Sequence, residues 1–240
     1  MYENHSPPDA ISHRGLHRSL PENSVAAFLE AIAAGADGVE LDVHASLDDV
    51  LFVHHDAVVQ TPAGAYDIAR LESTELARLR LAGDHAVPTL DESLDAIGDR
   101  ASVFIEVKAR GIEQALTRCL RRHSDDIGAY AVHSFDHRIV KRITELIPSV
   151  RTGILQVSYL LDSCAVMRAV GATDLWQQAD VIDASLVVDV HACGGRVYAW
   201  TANSETDWKA LHDKRVDGIC TDDVDRYAAW RAAARMRSPC

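Results

Sequence analysis

The residues best suited to chemistry in this chain are Glu40 and Asp42, which lie two positions apart inside an apolar run at residues 38–43. In a β-strand, residues two apart point to the same side, so the two carboxylates would share one face about 7 Å apart. Like charges that close repel each other unless a positive group lies between them. Because Mg²⁺ and Ca²⁺ prefer oxygen ligands, one of these divalent cations is the simplest partner.

Other chemically useful side chains also follow short apolar runs. They are His13, Arg14, His55, Asp56, Glu106 and Lys108. Imidazole titrates near neutral pH, so two histidines can serve as general acid and general base. Arginine and lysine supply fixed positive charge for an anionic ligand. Acids, imidazoles and cations are therefore all expected at the ends of these apolar runs.

Size and composition limit the class of protein. The chain has 240 residues, of which 48% are hydrophobic and 25% are charged, as in an ordinary globular protein. Its net charge of -12 argues against a partner that is a nucleic acid or an anionic membrane. An anionic small molecule would need a local positive site against this overall field.

The sequence also bears on location. Residues 1–9 lack the apolar segment of a signal peptide, and no run approaches the ~18 apolar residues of a transmembrane helix. The cysteines are odd in number and far apart, without a C-x-x-C pair, so free thiols in a reducing cytoplasm are expected. They are Cys119, Cys164, Cys193, Cys220 and Cys240.

Apolar runs that predict strands alternate with helical patterns along most of the chain. The predicted strands are residues 10–12, 38–43, 50–54, 102–107, 129–133, 152–155, 180–182, 197–201 and 218–221. The count is close to eight strand–helix units, which favours an α/β fold, a closed (β/α)8 barrel of the TIM type, over an open sheet. We expect one domain over residues 1–240, with a small insertion at residues 57–88 over the active-site mouth.

Chemistry in such barrels lies at the carboxyl ends of the strands. The side chains that fall there are His13, Glu40, Asp42, Glu106, Lys108, Ser134, Trp200 and Asp222. Asn23 has two equally compatible roles, which are to cap the following helix and to orient the loop that carries His13.

Ordered motifs along nearly the whole chain resemble those of the glycerophosphodiester phosphodiesterase family. They are His13-Arg14-Gly15, Pro21-Glu22-Asn23-Ser24, Glu40-Leu41-Asp42-Val43, His55-Asp56, Pro88-Thr89-Leu90, Glu106-Val107-Lys108, Ser134-Phe135-Asp136, Tyr198-Ala199-Trp200-Thr201 and Asp217-Gly218-Ile219-Cys220-Thr221-Asp222. The resemblance implies a (β/α)8 barrel and metal-dependent hydrolysis of a small-molecule glycerophosphodiester to an alcohol and sn-glycerol 3-phosphate.

The resemblance also implies roles for individual residues. Metal ligands for one divalent cation, Mg²⁺ or Ca²⁺, would be Glu40, Asp42 and Glu106. The general acid and base would be His13 and His55, in an order that the sequence leaves open. Contacts to substrate would come from Arg14, Lys108 and Trp200, with Asn23 as a supporting residue. The alternative for Lys108 is an ion pair with Glu106 or Glu40, and the alternative for Trp200 is packing within the barrel.

Some positions depart from the family pattern. Ser24 stands where threonine is usual, Asp48-Asp49 replaces an Asp-Gly turn, Gln60-Thr61 replaces an Arg-Thr pair, and His133 replaces a smaller residue. These changes bear on the substrate more than on the reaction.

Two other functions remain as alternatives. One is a lysophospholipase D-like or other head-group phosphodiesterase on the same barrel, and the other is a barrel that binds phosphorylated ligands without catalysis. The sequence leaves the head group and the oligomeric state open.

Overall fold

A closed barrel of parallel strands forms the centre of the computed structural model, which describes residues 7–123 and 127–237. The strands are β1 (Asp9–His13), β2 (Gly38–Ala45), β3 (Leu51–Val53), β4 (Val58–Thr61), β5 (Gly64–Asp67), β6 (Ser102–Val107), β7 (Tyr130–Ser134), β8 (Arg151–Gln156), β9 (Asp174–Gln178), β10 (Arg196–Trp200) and β11 (Gly218–Thr221). The helices are α1 (Val25–Ala33), α2 (Ser73–Leu76), α3 (Leu90–Ile97), α4 (Glu113–His123), α5 (His137–Leu146), α6 (Ser163–Val170), α7 (Ala184–Ala192), α8 (Glu205–Lys214) and α9 (Val224–Arg237).

The barrel strands follow the order β1, β2, β6, β7, β8, β9, β10, β11, and the last pairs in parallel with the first. Helices lie between successive strands, as the repeated strand–helix pattern predicted, so the expected TIM barrel is confirmed. Strand β3 is an addition to this plan, because it runs antiparallel against the carboxyl-terminal half of β2.

Side-chain alternation divides β2 between two environments. Val39, Leu41 and Val43 pack in the apolar layer between the barrel and its helices. Glu40 and Asp42 therefore point into the barrel, as the alternation predicted. Deeper inside the barrel lies a separate apolar cluster, whose buried members are Ile11, Phe104, Ala131, Leu155, Trp176, Tyr198 and Cys220. Glu40, Asp42 and Glu106 lie on the strands beyond this cluster, toward their carboxyl-terminal ends.

One predicted strand was wrong. Residues 180–182 were expected to form it, but they lie in and beside a single 3-10 turn, and the barrel strand is β9. Three of the five residues of β9 are polar, namely Asp174, Gln177 and Gln178, and Asp174 is buried in ion pairs with Arg151 (2.8 Å) and Arg196 (3.2 Å). The strand therefore lacks the apolar pattern by which the other strands were predicted, although it is buried in the barrel.

Residues 57–88 form a small unit outside the repeat. Strands β4 and β5 make a hairpin, and α2 follows them. Its buried apolar side chains, Val59, Ile68, Leu76 and Val87, pack together with Phe52 of β3. Its location over the mouth stays a prediction.

The expectation that the cysteines are free thiols was wrong for one pair. Cys164 in α6 and Cys193 after α7 form a disulfide, with Cα atoms 6.3 Å apart. Packing of α6 beside α7 brings together residues 29 positions apart, which spacing alone could not show. Cys119 and Cys220 are free and buried, and Cys240 lies outside the described residues.

Two findings bear on location. Disulfides persist mainly in oxidising environments, so the pair at Cys164 removes the argument for a reducing compartment, and a cytoplasmic location stays a prediction. Among residues 7–123 and 127–237, every helix is too short or too polar to cross a membrane.

Candidate active site

A cavity of about 140 Å³ opens at the carboxyl-terminal end of the barrel. Its lining residues are His13, Arg14, Glu40, His55, Glu106, Lys108, His133, Phe135, Leu155, Trp176, Trp200, Thr201 and Cys220. The structure therefore brings together seven of the nine side chains that were predicted for the site. The other two, Asp42 and Asn23, are buried and touch the lining residues from behind.

Three carboxylates form the acidic part of this cavity. Asp42 and Glu106 lie side by side in register on β2 and β6, and Glu40 precedes Asp42 on the same face. All three are buried, with between 0% and 9% of their surface exposed. Lys108 Nζ lies 2.8 Å from Glu106 and 3.5 Å from Asp42, and Arg14 Nε lies 3.1 Å from Asp42.

The two cations do not compensate the three acids equally. Burial, together with the charges of Asp42 and Glu106, raises the pKa of Glu40 well above its ordinary value. Burial and Asp42 likewise raise the pKa of Glu106. The pKa of Asp42 is lowered because Arg14 and Lys108 outweigh its burial. A further positive charge would favour the ionised forms of Glu40 and Glu106.

The donor atoms present fit a divalent cation. Asp42 Oδ1 is buried without a hydrogen bond among the described residues, and its one charged neighbour there is Lys108 Nζ at 3.5 Å. Oxygen atoms of Glu40 and Glu106 lie within 4.8 Å of each other. Carboxylate oxygens so arranged are the ligands that Mg²⁺ and Ca²⁺ accept.

A left-handed turn places the Arg14 side chain at the cavity. Arg14 has φ 57° and Gly15 has φ 82°, and the Arg14 backbone N–H donates to the Glu40 carbonyl at 3.0 Å. A Cβ atom at Gly15 would meet the carbonyl carbon of Ala27 at 2.6 Å, so glycine is required there. The guanidinium also contacts Glu22 at 3.0 Å, which holds it beside the acids.

Asn23 connects this loop to the acids. Its amide donates to Asp42 Oδ2 at 2.8 Å, its backbone N–H donates to the Arg14 carbonyl at 2.9 Å, and its side-chain oxygen accepts from the Asp42 N–H at 3.3 Å. The cap of α1 is instead Ser24, whose hydroxyl accepts from the Ala27 N–H. Of the two roles open in the sequence, these contacts correspond to orientation of the loop.

His13 is held by an aspartate from the opposite end of the chain. Its Nδ1 donates to Asp222 Oδ1 at 2.6 Å, and His17 Nε2 lies 3.4 Å from the same oxygen. Asn203 donates to the other oxygen at 2.6 Å. Although burial opposes ionisation, these hydrogen bonds hold the pKa of Asp222 well below its usual range. The ionised Asp222 fixes the Nδ1–H tautomer, so Nε2 carries the free lone pair.

His55 lies across the cavity mouth with a similar arrangement. Its Nδ1 donates to Asp56 Oδ1 at 2.8 Å, and its backbone carbonyl accepts from His44 Nε2 at 3.1 Å. Burial lowers the pKa of His44, which keeps this supporting ring neutral. His54 is directed elsewhere, with Nδ1 bonded to the Asp56 carbonyl.

Aromatic rings form the remaining walls. Trp200 meets Phe135 edge to face at 5.5 Å, and Phe135 is 46% exposed. Below them His133 stacks on Trp176 at 4.3 Å, and Trp176 stacks on Tyr198 at 5.0 Å. Burial lowers the pKa of His133 to about 3, so this ring is neutral.

Sequence reasoning assigned no role to several residues that the structure brings to the site. They are Glu22, His44, Phe135 and Asp222, together with His133, whose role the sequence left open. Asp222 was recognised at a strand end, but 209 residues separate it from His13, and only strand closure joins them. Alternation along β7 could have found Phe135, since it lies two residues beyond the inward-facing His133.

Comparison with known proteins now identifies the class of protein. Residues 13–226 match the glycerophosphoryl diester phosphodiesterase family. The barrel is therefore that of a phosphoric diester hydrolase. More narrowly, the chain belongs to the glycerophosphoryl diester phosphodiesterase family, which confirms the resemblance of its motifs.

Individual relatives agree over nearly the full length. A glycerophosphodiester phosphodiesterase of Caldanaerobacter subterraneus subsp. tengcongensis is 30% identical over 230 residues, covering 90% of this chain and 94% of that protein. A glycerophosphodiester phosphodiesterase of Parabacteroides distasonis has a TM-score of 0.86 at 23% identity, covering 98% and 100% of the two chains. An Oleispira antarctica phosphodiesterase, solved with the product sn-glycerol-3-phosphate, has a TM-score of 0.86 at 24% identity, covering 93% and 96%. These two structures support the fold.

Proposed function

We propose that the chain hydrolyses small glycerophosphodiesters to an alcohol and sn-glycerol 3-phosphate, with a divalent cation held by Glu40, Asp42 and Glu106. The observation that carries this proposal is the pair of imidazoles, His13 and His55, which line one cavity together with buried acids. Each imidazole has Nδ1 bonded to an aspartate, which leaves Nε2 for proton transfer.

The charged side chains would bind the phosphodiester. When bound, the cation would supply Lewis-acid polarisation of the phosphoryl oxygens. Arg14 and Lys108 offer fixed positive charge at the same cavity, and both are held in place by carboxylates. Asn23 supports this arrangement through its bonds to Asp42 and to the Arg14 carbonyl.

The two histidines would divide the proton transfers. One Nε2 removes the proton from the nucleophile, which is water or the glycerol hydroxyl of the substrate, and the other protonates the departing alkoxide. Attack by the substrate hydroxyl forms a cyclic phosphate first, so product analysis distinguishes the two routes. Trp200, with Phe135 beside it, supplies an apolar wall for the glycerol or alcohol group.

The test is hydrolysis of glycerophosphocholine, with the products identified by ³¹P NMR and with metal removed and restored. We expect release of sn-glycerol 3-phosphate that stops on metal removal and returns with a divalent cation. Substitution His13→Ala or His55→Ala removes an acid–base group and should lower turnover at least ~100-fold. Full activity in either variant would exclude that histidine, and the half-buried His54→Ala, whose Nδ1 bonds to the Asp56 carbonyl, serves as the matched control.

One observation favours a second substrate class on the same barrel. Apolar side chains are exposed just beyond the neighbouring strands β7 and β8, at Phe135, Val157, Tyr159 and Leu161. Such a surface would suit the acyl chain of a lysophospholipid. Comparison of kcat/KM for glycerophosphocholine and lysophosphatidylcholine decides between the two, and a higher value for the lipid would favour the head-group phosphodiesterase.

A further inference from the structure

His133 lies in the floor of the cavity, where the proposed function gives it no part. It is 1% exposed, and its Nδ1 has no hydrogen-bond partner among the described residues. Its Nε2 lies 3.9 Å from Glu40 Oε1, beyond hydrogen-bond distance. The unpaired Nδ1 costs about 1–3 kcal/mol that an ion at Nε2 would not recover, so the case for a metal ligand rests on Nε2, the nitrogen beside Glu40.

Packing fixes the orientation of this ring. The imidazole plane lies 15° from that of Trp176, which in turn stacks on Tyr198. In the strand register, His133 is the neighbour of Glu106 across β6 and β7. The stack fixes the plane of the ring, and in this plane Nε2 lies 3.9 Å from Glu40 Oε1.

The spacing of donor atoms suits a shared ion. Ligand atoms of Glu40, Glu106 and His133 all lie within 4.8 Å of one another. Ligands about 2.1 Å from an octahedral ion are separated by about 3.0 Å in cis and about 4.2 Å in trans. The distance of 3.9 Å between His133 Nε2 and Glu40 Oε1 is below the trans limit, so a single ion could contact both atoms, with a small side-chain adjustment to reach cis or trans geometry.

We propose that His133 is a nitrogen ligand of the active-site cation, beside Glu40 and Glu106. This inference rests on the proposed function in that both place an ion on these carboxylates. Its consequence is metal selectivity, because imidazole suits Zn²⁺, Fe²⁺ and Ni²⁺, whereas Mg²⁺ and Ca²⁺ prefer oxygen. The site would then bind a transition-metal ion by preference, unlike the all-oxygen site expected from Glu40, Asp42 and Glu106.

The direct test uses Mn²⁺ as a paramagnetic probe of the intact protein. Electron spin-echo measurements on the Mn²⁺-loaded protein should show coupling to a histidine ¹⁴N, and ¹⁵N-histidine labelling should change that coupling. Substitution His133→Phe keeps an aromatic ring against Trp176 and removes the nitrogen, so the coupling should disappear. The matched control is His123→Phe, because His123 belongs to a separate group with Asp91 and Cys119 that could also hold a metal.

Affinity gives a second readout. Loss of groups that only support a metal ligand weakens binding ~10- to 100-fold, so loss of a direct ligand should weaken Zn²⁺ binding at least as much. Titration calorimetry should show this loss in His133→Phe, with a smaller change for Mg²⁺. If His133→Phe does not fold, His133→Asn and the labelling experiment on the unaltered protein decide.

Two outcomes would overturn the inference. One is absence of nitrogen coupling in the unaltered protein, and the other is coupling that persists in His133→Phe or disappears in His123→Phe. Neither depends on turnover, so the result is separate from the proposed function. Nitrogen coupling without hydrolysis of glycerophosphocholine would refute the proposed function alone, and hydrolysis without nitrogen coupling would refute the role of His133 alone.

Discussion

Substitution Asp222→Asn should slow the reaction by acting through His13. Asp222 accepts hydrogen bonds from His13, His17 and Asn203 on its two oxygens. Asparagine offers one acceptor oxygen and one NH₂ group, so in either orientation a donor faces another donor. If the NH₂ group faces His13, the imidazole must adopt the Nε2–H tautomer, and its free lone pair no longer faces the substrate.

The expected magnitude follows from the bond that is lost. A hydrogen bond to a charged group contributes about 1.5–3 kcal/mol, and each 1.36 kcal/mol is a factor of ten in rate. We therefore expect kcat for glycerophosphocholine to fall about 10- to 150-fold. KM should change little, because Asp222 does not line the cavity.

The assay couples release of glycerol 3-phosphate to glycerol-3-phosphate dehydrogenase and compares Asp222→Asn with Asp223→Asn. The control removes the same charge from the next residue, which pairs with Arg18 and Arg226 rather than with a histidine. A decrease of less than about threefold in kcat, or equal decreases in the two variants, would refute the role given to Asp222.

Three further predictions concern stability. Gly15→Ala should lower the free energy of unfolding by more than ~1 kcal/mol in urea, because Gly15 has φ 82° and a Cβ would meet Ala27 at 2.6 Å. Cys164→Ser should lower it by about 3.5 kcal/mol and abolish any effect of reductant, because the bond to Cys193 closes a loop with a sequence separation of 29. The pKa of Asp222 is lower in the folded state than in the unfolded state, so Asp222 should stabilise the fold above about pH 4 and lose this contribution as the pH falls. The urea midpoint of Asp222→Asn should therefore decrease less steeply with acid than that of the unaltered protein.

Local pattern was sufficient to predict part of the site. Alternation along β2 predicted that Glu40 and Asp42 share an inward face, because that rule needs information from adjacent residues alone. The position of Glu106 beside them followed from the expected parallel barrel, in which carboxyl ends of strands meet. These residues were predictable because each strand around them carries an unbroken apolar face.

Other features depend on contacts between distant segments. The Asp222 to His13 bond and the disulfide of Cys164 exist because strand closure and helix packing bring the partners together. Strand β9 was missed because Asp174 is stabilised by arginines on neighbouring strands rather than by an apolar pattern of its own. A sequence pattern shows which secondary structure a segment favours. It does not show the partners of these residues, because those partners lie in distant segments of the chain.

The charges at the cavity explain how a protein of net charge -12 could bind an anion. When ionised, Glu40, Asp42 and Glu106 carry one more charge than Arg14 and Lys108 can offset. Among these five side chains a divalent cation would change the net charge from -1 to +1, while the partly exposed Glu22 beside Arg14 supplies one further negative charge. The raised pKa values of Glu40 and Glu106 follow from the same deficit as well as from burial. Exposed acids elsewhere on the surface would oppose the anion mainly where they lie within a Debye length of ~8 Å of the site, because salt screens exposed charges at longer range.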